Sequence, residues 1–156
     1  MAEEQPKNKF GIQRLFTRNT SFESPNAPEI FREKWQPKIK VDLGNKSTKL
    51  SDDTYQVLIR VTVTATLDDK TAFLAEVEQG CVAAISGFEQ DALDHMLGAY
   101  VPTVLFPYAR EAIDTMVVKG SFPPVMLAPM NFEALYQQKK QKQAEQAEES
   151  DQKTEH

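Results

Sequence analysis

Tyr55-Gln56-Val57-Leu58-Ile59-Arg60-Val61-Thr62-Val63-Thr64-Ala65-Thr66 decides the fold, because its odd positions are apolar and its even positions, Leu58 excepted, are polar. A period of two is the signature of a strand whose side chains point alternately to a dry and a wet face. One dry face and one wet face is the pattern of an antiparallel sheet covered on one side. Downstream, Asp68-Asp69-Lys70 reads as a hairpin turn. In the strand that follows, Phe73, Ala75, Val77 and Cys81 share one face, while Leu74, Glu76 and Glu78 share the other. Leu74 is therefore an apolar residue among carboxylates on the polar side.

Upstream, Pro37-Lys38-Ile39-Lys40-Val41-Asp42-Leu43 alternates cleanly and Gly44-Asn45 ends the run. Farther back the apolar residues Phe10, Ile12, Phe16 and Phe22 fall on even positions, which predicts an irregular first strand, stopped by Ser24-Pro25-Asn26-Ala27-Pro28. After Gly87 the period becomes helical: Leu93, Leu97, Tyr100, Val101, Val104, Leu105, Tyr108, Ala112, Ile113, Met116 and Val117 recur at three and four, with Gly120 as a stop. Pro102 and Pro107 interrupt that pattern and predict a kinked helix or two helices. Asn131 is placed to cap a short last helix carrying Phe132, Leu135 and Tyr136.

The sum is an α+β fold, a four-stranded antiparallel sheet with a long kinked helix and a short C-terminal helix packed on one side. At 156 residues the chain has room for one core. Residues 1–9 and 137–156 are polar and are expected to be largely disordered, leaving residues 10–136 as the domain. The apolar helix and the open sheet edges are expected to need partner copies.

Composition excludes several classes. No apolar run reaches bilayer-spanning length, and the N-terminal residues Met1 to Lys7 hold no apolar leader segment, so a cytoplasmic location with no direct membrane insertion is expected. A net charge of -5 opposes binding to nucleic acid and favours basic partners. One cysteine, Cys81, permits no internal disulfide and reads as apolar filler. The chain carries no Gly-rich phosphate loop, no Gly-x-Ser-x-Gly and no His-Glu-x-x-His. His95, beside Asp91 and Asp94, is the one imaginable base, and a solvated helix residue is the simpler reading. The expectation is a protein that binds, with no catalytic residues, metal or cofactor.

Seven segments carry a resemblance: Pro25-Asn26-Ala27-Pro28, Trp35-Gln36-Pro37, Arg60-Val61-Thr62-Val63-Thr64-Ala65, Thr71-Ala72-Phe73-Leu74, Leu97-Gly98-Ala99-Tyr100, Leu105-Phe106-Pro107-Tyr108-Ala109-Arg110-Glu111 and Ala128-Pro129-Met130-Asn131-Phe132. In order and spacing the chain resembles the SecB protein-export chaperones over about residues 10–136. The resemblance implies an ATP-independent chaperone that keeps unfolded preproteins translocation-competent and delivers them to SecA, assembled as a homotetramer, a dimer of dimers. It places a SecA-binding patch at Asn19, Glu23, Leu74 and Glu76, where the family usually has an aspartate in place of Asn19. It places a client groove at Trp35, the stretch from Leu43 to Leu50, Phe132, Leu135 and Tyr136. The alternative is a SecB-like holdase with other clients, such as an antitoxin-associated chaperone, and retention of Glu23, Leu74 and Glu76 favours export.

Overall fold

A computed structural model describes residues 7–154. Four strands, β1 (Lys9–Glu23), β2 (Lys38–Ser51), β3 (Thr54–Leu67) and β4 (Lys70–Ser86), form one antiparallel sheet in the order β1-β4-β3-β2. Three helices follow, α1 (Gln90–His95), α2 (Val101–Lys119) and α3 (Phe132–Thr154), with a π-helical turn, Met96–Tyr100, joining the first two. The α+β architecture expected from the alternation is the one found.

β3 and β4 are the centre of the sheet and obey the alternation closely. Val57, Ile59, Val61 and Val63 of β3 and Phe73, Ala75, Val77 and Cys81 of β4 have no exposed surface. Against this inner face α2 lays Val101, Leu105, Ala109, Ile113 and Val117, a stripe spaced by four. Cys81 sits in this core, and burial pushes its thiol pKa up, which keeps it protonated and inert.

The exception at Leu58 has a packing cause. Leu58 points to the outer face, stands opposite Gly80 in the register and is nevertheless buried. Gly80 leaves a hollow there that Leu58 fills from β3 and Phe16 fills from β1. A Cβ on Gly80 would lie 2.6 Å from Leu58 Cδ2 and 2.8 Å from Phe16 Cζ. Phe16 is thus on the outer face and not with Phe10, Ile12 and Phe22, as even spacing predicts. Two register shifts, between Ile12 and Arg14 and between Thr17 and Asn19, each insert one residue and invert the alternation between them. After the second, Phe22 is inward again, opposite Ala75.

Trp35 joins an aromatic cluster at one end of the core. Its ring lies 6.3 Å from that of Phe73 and 5.4 Å from that of Phe122, with Phe22 and Phe31 alongside.

The long helix does not break. Pro102 has no N–H to give the carbonyl of Gly98, four residues back. The helix widens into the π turn at that point, and the Asn45 side chain of β2 donates to the Gly98 carbonyl instead, at 3.2 Å. Pro107 lies on the exposed side of α2. The side of α2 away from the sheet leaves Tyr108 and Val118 about half exposed, as is Tyr100 of the π turn.

At the C-terminus the Asn131 side chain accepts the N–H of Ala134 at 2.9 Å, the expected cap. The helix it starts is longer than its apolar residues predict. α3 runs through Thr154, although each of its residues after Tyr136 is exposed, because Gln, Lys, Ala and Glu are strong helix formers that need no core contact. The expectation of a disordered start covers residues 1–9; residues 1–6 lie outside the described residues, and Lys9 already begins β1.

Removing residues 143–156 strips helix without removing buried side chains. We expect a melting temperature within about 2 °C of the parent and a smaller helical dichroism signal. A large loss of stability would show that this part of α3 packs against the body.

Candidate functional surfaces

Two surfaces stand out, one on each side of the sheet. On the outer face, strand register brings Asn19, Ser21 and Glu23 of β1 opposite Glu78, Glu76 and Leu74 of β4 respectively. β3 continues the same rows with Arg60, Thr62 and Thr64. Asn19, Glu23, Leu74 and Glu76 therefore form one contiguous patch, as their expected common role requires. Leu74 and Glu76 are half-buried, while Asn19 and Glu23 are exposed.

The patch has internal order. Thr62 Oγ1 donates to Glu76 Oε2 at 3.0 Å, which fixes that carboxylate in place while leaving its second oxygen for a partner. Arg18 Nε lies 3.7 Å from Glu78 Oε2 and offsets part of its charge. The Arg60 side chain lies over Gly44 of β2, 3.6 Å from where a Cβ on that glycine would stand. The negative potential is thus concentrated at the Glu76 and Glu23 end, around Leu74. Sequence reasoning passed over Glu78, which alternation alone puts in this patch.

On the inner side a groove of about 730 Å³ runs between β2, the α1–π segment and α3. Val41, Leu43, Leu97, Phe132, Leu135 and Tyr136 supply its apolar surface. Asp42 and Asp94 lie on one side and Lys139 and Lys140 on the α3 side. Of the expected client-binding residues, Leu43, Phe132, Leu135 and Tyr136 meet here. Trp35 and Leu50 do not: Trp35 packs in the aromatic cluster, and Leu50 stands exposed at the far end of β2. Sequence reasoning missed Val41 and Leu97, whose periodicity marks them as core, and Lys139 and Lys140, which it assigned to the tail.

α3 forms one wall of this groove, and its attachment is local. Phe132 is buried with its ring 5.8 Å from that of Phe106. The Tyr136 ring lies on Gly98 so closely that a Cβ there would meet it at 2.6 Å. Glu133 contacts His95 Nε2 and also accepts from Gln137 at 3.1 Å. Those hydrogen bonds, from Gln137 first and His95 next, hold the Glu133 carboxyl below its ordinary pKa.

The family model described as preprotein translocase subunit SecB matches residues 3–143. A SecB-like chaperone of Mycobacterium tuberculosis, solved in complex with a ChAD peptide from the HigA1 antitoxin, superposes with a TM-score of 0.66 at 14% identity, covering 78% of this chain and 90% of that one. A Streptococcus agalactiae protein of unknown function matches with a TM-score of 0.41 at 12% identity, covering 79% of this chain and 99% of that one.

Gly98→Ala tests how α3 is held. The new methyl group must displace the Tyr136 ring, and we expect the docking of α3 to weaken by about 1–3 kcal/mol. Amide exchange over residues 132–138 should then speed up while the β3 and β4 amides are unchanged. Unaltered exchange in α3 would show that Tyr136 does not anchor it.

Proposed function

The chain belongs to the SecB family, and on that premise we propose that it is an ATP-independent chaperone that holds unfolded preproteins in the cytoplasm and delivers them to SecA. The observation that carries this reading is the coexistence of the two surfaces on opposite sides of one sheet. Unfolded chains expose apolar side chains and unpaired backbone, and the groove beside β2 offers apolar walls. Several weak contacts along one client supply affinity through avidity. Capture then competes with folding by mass action on the unfolded ensemble, so slow-folding precursors are retained. None of these steps draws on a nucleotide.

The outer patch is the proposed SecA surface. An apolar residue rimmed by carboxylates suits a basic partner, which would cover the half-buried Leu74 while Glu23 and Glu76 steer and orient it. Asn19 contributes a neutral corner next to Glu78. The exposed side of α2, with Tyr108 and Val118, and the sheet edge at β1 are the surfaces that a dimer of dimers would cover.

A second reading, a holdase with a dedicated client such as an antitoxin, draws on the peptide bound by the mycobacterial neighbour. It uses the same groove and makes no demand on the outer patch. The patch therefore separates the two.

Aggregation of a chemically unfolded protein should be suppressed equally with ATP, ADP or no nucleotide. A strict ATP requirement would remove the holdase reading.

Glu76→Lys separates holding from delivery. The reversal is on the outer face and removes the acceptor of the Thr62 hydroxyl, so stability should fall by about 1 kcal/mol while aggregation suppression stays at the parent level. Titration with SecA should weaken by an amount on the order of several kcal/mol, because a lysine then opposes a basic surface. Unchanged SecA binding would move the docking face elsewhere and favour the dedicated-client reading.

A further inference from the structure

α3 is fastened to the body through a short stretch, Asn131 to Tyr136, and the rest of its length is exposed. Within that stretch most contacts are apolar or backbone and are indifferent to pH. The exception is His95 against Glu133. His95 sits at the last position of α1, immediately before the π turn, and its ring also meets the Tyr136 ring edge-on at 5.5 Å. One side chain therefore touches both Glu133 and Tyr136, the second of which lines the groove.

We propose that the His95–Glu133 contact is a pH-responsive clasp that sets how firmly α3 closes the groove. This rests on the reading of the groove as the client site. Glu133 and Tyr136 face His95 from α3. On its own helix Asp91 lies one turn back, and Asp94 is adjacent with its Oδ1 taken by Gln90 at 2.8 Å. Farther along the groove stand Asp42 of β2 and Lys139 and Lys140 of α3.

The direction follows from charge. Glu133 is ionised throughout the neutral range, since its hydrogen bonds favour the charged form. Falling pH favours the protonated, charged form of an imidazole over the neutral one. A protonated His95 attracts the carboxylate as an ion pair. A neutral one leaves a single hydrogen bond. The clasp is thus tight at mildly acidic pH and loosens as pH rises. Both side chains are about half exposed, 42% and 53%, so solvent screens the pair and the effect is modest, about two- to fivefold. Raised salt should diminish it.

The test uses the full chain and two pH values, 6.0 and 7.5. First, without client, amide exchange over residues 134–138, corrected for intrinsic rates, should be about two- to fivefold more protected at pH 6.0. His95→Gln retains an amide donor without a titrating charge and should abolish that difference, as should Glu133→Gln. Second, a fluorescein-labelled, reduced and carboxymethylated lactalbumin should bind the parent about two- to fivefold more weakly at pH 6.0, relative to the same comparison in His95→Gln. No pH effect on exchange, or one that survives in both variants, overturns the clasp. Exchange as expected with client binding that differs from His95→Gln at neither pH overturns its control of the groove. Absence of client binding at either pH, with exchange as expected, overturns the client reading of the groove and the gating with it, while leaving the contact's pH response established.

Discussion

The pairing of β3 with β4 is the interaction on which the rest of the molecule depends. Twelve consecutive residues on each strand, 54–65 of β3 and 73–84 of β4, pair without a shift and alternate between a face that must be dry and a face that must be wet. Because the period is two, a slip of one residue would put Val61 and Val77 in water and Glu76 in the core. The register is therefore held by the burial of both strands at once. α2 lies on the dry side by the same necessity, since its Leu105, Ala109 and Ile113 stripe has nowhere else to be buried. The carboxylates of Glu76 and Glu78 stay on the wet side, where Thr62 and Arg18 meet them.

A consequence is that the two candidate surfaces cannot compete for the same space. The acidic patch is on the outer face at the β1–β4 seam, and the groove is on the inner side at the opposite edge, β2. A chaperone that must hold one protein while binding another needs such a separation. The groove itself originates in a local defect of the long helix. Pro102 withholds a donor, the helix widens into a π turn, Asn45 satisfies the freed Gly98 carbonyl, and Gly98 leaves room for Tyr136 to bring α3 close. Four residues from four elements convert a missing N–H into a wall of the site.

Much of this was legible from residue pattern. The alternation in β3 and β4 announces the sheet and the shared face of Leu74 and Glu76, because side-chain period is a local property. The bulges in β1 were not legible, since Gln13 and Arg18 look like any polar residues and only pairing with β4 reveals an extra residue in the ladder. The destination of Trp35 was equally hidden. A lone tryptophan before a proline says nothing of which aromatic rings it will meet, and here they are Phe73 and Phe122. α3 extends well beyond its amphipathic stripe, which ends at Tyr136. Helix propensity in a Lys-, Gln- and Glu-rich run does not depend on one.

The central claim is that an unfolded chain lies between β2 and α3 and not on the outer sheet. Site-specific photo-crosslinking tests it most directly, with a photoreactive phenylalanine replacing Leu135 on the groove wall and, in a separate variant, replacing Glu23 on the outer face. An unfolded client should crosslink efficiently from position 135 and at background level from position 23. Crosslinks from position 23 with none from position 135 would contradict the account.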